Sequence, residues 1–256
     1  KMRGRKLGIL HVFRDVTRER ELDRREREFL AEVTHELRTP LTSIKGYADL
    51  LIAEELSPEE QRECLEIIQR SAARMTTLIN DLIDLSRLEL GQVSFHISFV
   101  NVSKLIHLVT ESLRLQFQEK QQKLTLSLPN NLPPVWADPD RLTQVFTNLL
   151  VNAHRYTPAG GKIAVRAGQD GDRVRIQFID NGIGISAEDQ VHLFSKFFRV
   201  RSQSIANIQG SGLGLAITHS LIERLGGTIT LDSTLGVGST FTVTLPTAPP
   251  QPIPQP

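Results

Sequence analysis

The chain has 256 residues and a formal net charge of +1, with 39% hydrophobic and 23% charged residues. This near-neutral balance gives no electrostatic reason to expect binding to nucleic acid or to a membrane surface. The length is sufficient for two domains.

The single cysteine, Cys64, cannot form an internal disulfide, which fits a reducing cytoplasm and excludes a cysteine metal cluster. No apolar run reaches the ~18 residues needed to span a bilayer, and the first residues do not have the pattern of a signal peptide, so we expect none in this chain. Because residues 1–19 are typical of the end of a domain, we expect a cytoplasmic fragment of a longer protein, whose missing N-terminal part would hold any membrane anchor.

In chain order, residues 7–13 (LGILHVF) predict a short strand, and residues 15–30 a charged helix whose apolar positions Leu22 and Phe29 are one heptad apart. Two amphipathic helices follow, joined by a turn in which Ser57 is a candidate N-cap and Pro58 a first-turn proline. One helical hairpin buries only one side of each helix, so two copies should dimerise into a four-helix bundle.

The first helix contains the stretch AEVTHELRTPL, residues 31–41. Pro40 removes a backbone hydrogen bond and clashes with the carbonyl of Glu36, at a cost of roughly 3 kcal/mol. A helix kinked beside His35, with Glu36 and Thr39 as neighbours, suggests a functional site.

After Gly91 the pattern changes to alternating helices and strands. Three helices are predicted at residues 101–118, at 140–155 and from Leu213 to Gly226, and five strands at 123–128, 162–167, 173–179, 228–232 and 239–245. They predict a two-layer α/β sandwich with a mixed sheet, followed by a disordered proline-rich tail.

Three stretches of this second domain could carry chemistry. Asn148 and Asn152 share one face of a helix, although a pair of buried amides satisfied by the backbone would also explain them. IDNGIGI places Asp180 at the end of a strand, before Gly182 and Gly184, but such a loop is a turn as often as a site. QGSGLGLAI feeds alternating glycines into a helix, a geometry that suits an anion such as phosphate. The polar segment 201–209 before it is typical of a mobile lid.

In combination and in this order, these stretches identify a family. The runs FLAEVTHELRTPLTSIKGYADLL, QVFTNLLVNAHRYTP, DNGIGI, FSKFFR and GSGLGLAI resemble bacterial sensor histidine kinases of two-component systems, over about residues 20–246. The resemblance implies a dimerisation and histidine-phosphotransfer domain at 18–92 and an ATP-binding domain of the gyrase and chaperone type at 93–246. Residues 1–17 resemble the exit of a PAS sensor domain, joined by a signalling coiled coil, and 247–256 form the tail.

The same resemblance assigns roles in the first domain. His35 would accept the γ-phosphoryl group of ATP, and Glu36 would take the proton from its other ring nitrogen. Thr39, four residues beyond His35, would serve the reverse reaction, dephosphorylation of a partner response regulator.

In the second domain it assigns Mg²⁺ to Asn152, with Asn148 in support, and the adenine amino group to Asp180. Arg155 and Arg199 would reach phosphate, and Tyr156 would pack by the nucleotide. The remaining nucleotide-binding residues belong to the glycine loops: Gly182, Gly184, Gly210, Ser211, Gly212, Leu213 and Gly214. The expected partners are a second copy of the chain and a response regulator, with ATP and Mg²⁺ as cofactors and no nucleic acid or membrane contact. Two alternatives stay open: a dimeric phosphohistidine scaffold with a degenerate nucleotide site, and a gyrase- or chaperone-like ATPase.

Overall fold

The structure is a computed structural model that describes residues 17–200 and 210–248. The predicted strand at 7–13, the polar segment 201–209 and the tail from residue 249 lie outside these ranges. The chain divides into two compact units, the first ending at Ala72 and the second beginning at Ala73. The division falls inside a helix, so the second unit includes the last turns of the predicted hairpin.

Two long helices form the predicted hairpin: α1 (Thr17–Ala53) and α2 (Pro58–Glu89). Ser57 and Glu60 form a reciprocal capping box, because Glu60 N–H donates to the Ser57 hydroxyl and Ser57 N–H donates to the Glu60 carboxylate. Within the first unit, the Ser71 hydroxyl on α2 donates to that of Ser43 on α1 at 3.2 Å. Gly91, in the left-handed region at φ +67°, follows the end of α2, as is usual for a helix C-terminus.

The second unit is built on a five-stranded sheet in the order β2-β4-β5-β7-β6. Strands β2 and β4 are parallel and the other neighbours antiparallel, which confirms the predicted mixed sheet. The strands are β2 (Lys123–Ser127), β4 (Lys162–Asp170), β5 (Arg173–Asp180), β6 (Thr228–Thr234) and β7 (Gly238–Pro246).

Helices α3 (Val102–Ser112), α5 (Pro139–Tyr156) and α7 (Gly214–Arg224) pack with this sheet around one apolar core. Inward-facing residues of the strands alternate with polar ones, as in Val174, Ile176 and Phe178 of β5, which are fully buried. On the helix side, Phe146 of α5 packs against Phe178 with ring centroids 5.4 Å apart. The predicted two-layer sandwich is confirmed.

The prediction of one helix over 101–118 was wrong, because the chain forms α3 and then α4 (Arg114–Glu119). In a continuous helix, the Leu113 amide would donate to the Val109 carbonyl. Here the Ser112 hydroxyl donates to that carbonyl, and the Leu113 amide donates to the Glu111 carbonyl. Short elements that the pattern did not predict are β1 (Ser98–Val100), its antiparallel partner β3 (Val135–Ala137) and the single-turn α6 (Ala187–Gln190). Elements of three or four residues are too short for periodicity to reveal.

Candidate functional site

Helix α5 presents the two predicted asparagines. Asp138 caps its start by accepting the amides of Asp140 and Arg141, and Pro139 occupies the first turn. The side-chain amide of Asn148 donates to the Thr218 hydroxyl of α7 at 2.8 Å, so its orientation is held. Asn152, one turn later, is half-buried, and its side chain makes no hydrogen bond within the described residues.

Asp180 ends strand β5 and is half-buried. Its carboxylate accepts the backbone amide of Gly182 at 2.9 Å and that of Ser239, its neighbour on β7. Burial raises the pKa of the Asp180 carboxyl, and these two amide hydrogen bonds oppose that shift. The carboxylate is therefore fixed at the end of the strand.

The loop after Asp180 joins the end of α5. The Ile183 amide donates to the carbonyl of Tyr156, the last residue of α5, at 3.2 Å. Gly184 has a left-handed backbone at φ +66°, and a Cβ there would collide with the carbonyl of Thr234. The turn between β6 and β7 thus supports this loop, and only glycine fits at position 184.

The glycine run before α7 reaches three other parts of the site. A Cβ at Gly214 would lie 2.5 Å from Asn148 Oδ1, and one at Gly210 would lie 3.2 Å from Arg155 Nη1. Gly212, at φ +70°, packs against the backbone of Phe197, which would lie 2.7 Å from an added Cβ. The residue before α7, Leu213, is buried and provides no side-chain cap, so the first amides of α7 have no side-chain partner at this position.

The structure therefore brings the helix of the two asparagines, the loop after Asp180 and the glycine run before α7 into one region. Arg155 and Tyr156, at the end of α5, are half-buried beside it; Arg199, which lies outside these three segments, is also half-buried. Backbone glycines, uncapped helix amides and an arginine suit an anion, and the Asp180 carboxylate adds an acceptor at the end of β5. These features fit a nucleoside triphosphate, with the phosphates toward α7.

A hydrogen-bond network that the sequence pattern did not reveal holds the C-terminus of α5. The Lys120 ammonium donates to the carbonyls of His154, Arg155 and Thr157 at 3.0 to 3.3 Å. The Gln122 amide nitrogen donates to the Thr157 carbonyl at 2.6 Å, and its oxygen lies 2.7 Å from His154 Nδ1. Burial lowers the pKa values of Lys120 and His154. The cation satisfies carbonyls that end the helix and fixes the turn carrying Arg155 and Tyr156.

The other residues missed from the sequence are Thr218, which orients Asn148, and the turn that supports Asp180 and Gly184. The sequence run GVGS at 236–239 could have indicated this turn, since its two glycines are typical of a tight turn where another backbone segment approaches closely.

In the first unit, His35 lies exposed on α1, which continues through Pro40 to Ala53. The Thr39 hydroxyl donates to the His35 carbonyl at 3.3 Å, and Glu36 is half-buried. Pro40 is buried and, as a proline, has no amide hydrogen to donate to the carbonyl four residues earlier in the helix.

Among the described residues, no three His, Cys, Asp or Glu side chains cluster as ligands for a metal ion. None of the helices in residues 17–200 and 210–248 combines the length and apolarity needed to cross a bilayer.

Two family profiles match the chain. The His Kinase A (phospho-acceptor) domain matches residues 25–91, and the family described as histidine kinase-, DNA gyrase B- and HSP90-like ATPase matches residues 137–249. The first range contains His35, and the second contains Asn148, Asn152, Asp180 and the glycine run.

The drug sensory protein A of Synechocystis sp. is 39% identical over 246 residues, which cover 91% of this chain and 37% of that protein. The circadian input-output histidine kinase CikA of Synechococcus elongatus is 40% identical over 223 residues, which cover 86% of this chain and 30% of that protein. The chain thus spans about a third of the length of these two relatives.

Among solved structures, histidine kinase ThkA, in complex with the response regulator protein TrrA, aligns with a TM-score of 0.72 and 26% identity. The alignment covers 93% of this chain and 68% of ThkA. The phosphoacceptor helix, the ATPase sandwich and these matches define a sensor histidine kinase, and the chain belongs to that family of two-component systems.

Proposed function

We propose that the chain is the kinase core of its protein, with a dimerisation and phosphoacceptor domain at 18–92 and an ATP-binding domain at 93–246. A neutral ring nitrogen of His35 attacks the γ-phosphorus of ATP, a nitrogen–phosphorus bond forms, and the bond to the bridging oxygen breaks to release ADP. The phosphoryl group then passes to an aspartate carboxylate of a response regulator, which regenerates His35.

The observation that carries this proposal is the convergence of the glycine run on Arg155 and Asn148. An added Cβ would overlap Asn148 Oδ1 at Gly214 and approach Arg155 at Gly210. Such close backbone approach leaves amides and a guanidinium to face a polyphosphate, while Leu213 leaves the start of α7 uncapped.

Magnesium prefers oxygen ligands and binds protein through few of them when phosphates supply the rest. The Asn152 amide has no hydrogen bond within the described residues and can offer its oxygen, whereas Asn148 is held by Thr218. We therefore assign Asn152 as the protein ligand and Asn148 as its support.

Asp180 would accept the amino hydrogen of adenine, a group that guanine lacks at the equivalent ring position. The two backbone amides that bind its carboxylate leave further acceptor capacity on the oxygens. Tyr156 would pack by the nucleotide, Arg199 would reach its phosphates, and the loop with Gly182 and Gly184 would allow its close approach.

His35 is suited to the acceptor role because it is exposed on α1 and an acid follows it directly. Glu36 would take the proton from the second ring nitrogen, although successive helical residues do not face each other and a suitable rotamer is needed. Thr39 would orient water for dephosphorylation of the regulator, a reverse activity that we include in the proposal.

We also propose that the chain is a homodimer in the cytoplasm. Large apolar side chains of α1 and α2 are exposed: Leu30, Leu41, Ile52, Leu65, Ile79 and Ile83. Exposed apolar surface along a hairpin favours association with a second copy into a four-helix bundle. Light scattering should give twice the chain mass of 28.7 kDa, and a monomer would contradict the dimer.

The complex of ThkA with TrrA supports a response regulator as the second partner. The alternatives are less well supported: a gyrase-like hydrolase does not need HELRTPL, and a degenerate scaffold does not need an oriented Asn148 beside a glycine cradle.

Incubation with γ-labelled ATP and Mg²⁺ tests the kinase directly. Label should remain on the protein, be lost in acid and be absent from His35→Gln, while His35→Gln still binds ATP. Acid-labile label on that variant would exclude His35 as the acceptor, and absence of label on the wild type would contradict the kinase.

A further inference from the structure

Asp81 is a carboxylate on an otherwise apolar face of α2. The series Leu78, Asp81, Leu85 and Leu88 has spacings of three, four and three, so these residues share one helix face, and the three leucines are buried. Asp81 itself is half-buried, and burial, with Asp84 nearby, raises the pKa of its carboxyl. A charged group in this position calls for a bonding partner.

That partner is Ser211, within the glycine run that precedes α7. The Ser211 hydroxyl donates to Asp81 Oδ2 at 2.8 Å and accepts the Leu213 amide at 3.2 Å. Both residues belong to the unit that begins at Ala73. The contact joins residues 130 positions apart in the chain, so it depends on how this part of α2 packs.

A serine hydroxyl has one proton to donate. While that proton is donated to Asp81, Ser211 cannot donate it to a phosphate oxygen. In addition, an ionised Asp81 beside the glycine run would repel the negative charge of a triphosphate placed there. The hydrogen bond from Ser211 to Asp81 and the negative charge of Asp81 therefore both weaken nucleotide binding.

We propose that Asp81 is a latch residue, whose hydrogen bond to Ser211 competes with binding of the nucleotide phosphates. The inference rests on the proposed ATP site but adds a residue outside it. The coupling is reciprocal: the Ser211–Asp81 hydrogen bond weakens phosphate binding at Ser211, and phosphate binding weakens that hydrogen bond by the same free energy. Nucleotide loading is thereby coupled to the end of the hairpin helix.

Other contacts define the controls. One turn from Asp81, Asp84 Oδ2 accepts the Gln144 amide at 2.9 Å, and so its carboxylate is bound elsewhere. Arg224 donates to the Leu88 carbonyl, and Lys196 pairs with Glu89. We expect these contacts to keep the end of α2 packed when only Asp81 is changed. The control variant is Asp84→Ala, which removes a negative charge from α2 but leaves the hydrogen bond between Asp81 and Ser211 in place.

Calorimetric titration with the non-hydrolysable analogue AMPPNP and Mg²⁺ tests the latch in the full chain. Asp81→Ala should bind about three- to tenfold more tightly than wild type, because a charge-assisted hydrogen bond and a repulsive charge are both removed. Asp81→Asn, which keeps an acceptor but loses the charge, should show part of the gain. Asp84→Ala should change the affinity less than about twofold.

The Ser211→Ala background separates the hydrogen bond from long-range charge. There Asp81→Ala should give a clearly smaller gain, because no hydroxyl proton remains to be released. An equal gain in both backgrounds, or unchanged or weaker binding by Asp81→Ala with an unchanged melting temperature, would overturn the latch and leave the ATP site intact. Absence of binding by both wild type and Asp81→Ala would overturn the ATP site as well.

Discussion

The backbone amide of Ile183 donates to the carbonyl of Tyr156, and this bond joins the helix of the two asparagines to the loop that follows Asp180. Residues 27 positions apart in the chain thus hold the two expected ends of a nucleotide site together. The Lys120 ammonium donates to other carbonyls at the same end of α5, so both Lys120 and the loop after Asp180 hold that end of the helix in place.

Replacing Asp180 by asparagine should weaken ATP binding about tenfold or more and reduce the preference for ATP over GTP. The variant would lose the charged acceptor that we propose for the adenine amino group, and a hydrogen bond to a charged group is worth ~1.5–3 kcal/mol. Calorimetry with both nucleotides measures the two effects. Asp232→Asn, at an exposed site on β6, is the matched control. Equal ATP binding by Asp180→Asn and wild type would contradict the adenine assignment.

Replacing Asn152 by aspartate should weaken binding of Mg·ATP and change its dependence on Mg²⁺. The variant adds a negative charge beside the expected triphosphate and alters the metal coordination. Titrations of ATP with and without Mg²⁺ separate these effects. If the variant and the wild type respond identically to Mg²⁺, Asn152 is not the ligand.

The glycine at 184 provides a prediction with an internal control. Gly184 and Gly171 both have left-handed backbones, at φ +66° and +61°, but only Gly184 is so close to another backbone, at Thr234, that a Cβ would collide. Gly171→Ala should therefore cost only the local strain, about 1 kcal/mol of unfolding free energy, whereas Gly184→Ala should cost clearly more and also weaken ATP binding. Denaturant unfolding and calorimetry check this. Equal destabilisation by the two variants would show that the loop can move away from Thr234.

Much of the second unit was predictable because each of its strands buries one face and exposes the other. Residues such as Val174, Ile176 and Phe178 alternate with polar ones, and that period is visible in the sequence. The convergence of the motifs was expected from the family resemblance, because nothing in the spacing of Asn148 and Gly214 indicates that they touch.

What escaped prediction depends on tertiary contacts. In the sequence, Lys120 is an ordinary lysine in a polar stretch, and only the fold shows that it binds the end of α5. Asp81 likewise has the sequence context of an exposed helix residue, and only the fold shows its hydrogen bond to Ser211. Such pairs leave no periodic trace. The break at Leu113 was missed for another reason, since a hydroxyl of Ser112 competes locally with the backbone.

Replacing Thr39 by alanine should leave autophosphorylation close to wild type and slow dephosphorylation of the partner regulator. The hydroxyl lies one turn from His35, where it could orient water, and attack of His35 on ATP does not require it. Thr42→Ala, another exposed threonine of α1, is the matched control. The rates are measured with labelled ATP and with purified phosphorylated regulator. An unchanged dephosphorylation rate would exclude this role for Thr39.

The N-terminal part of α1 should transmit a signal through its register. The helix is continuous from Thr17 to Ala53, and Leu22 and Phe29 are one heptad apart in the sequence. Each residue inserted between Asp23 and Arg24 rotates the following helix by about 100°, since a turn takes ~3.6 residues. One inserted residue should therefore move Phe29 off the seam and shift the balance of kinase and phosphatase activity, while seven should restore the seam to within ~20° and restore the balance. Output of the full-length protein for insertions of one to seven residues measures the period. A flat or steadily falling response would instead indicate a flexible tether, and the assignment of His35 would stand.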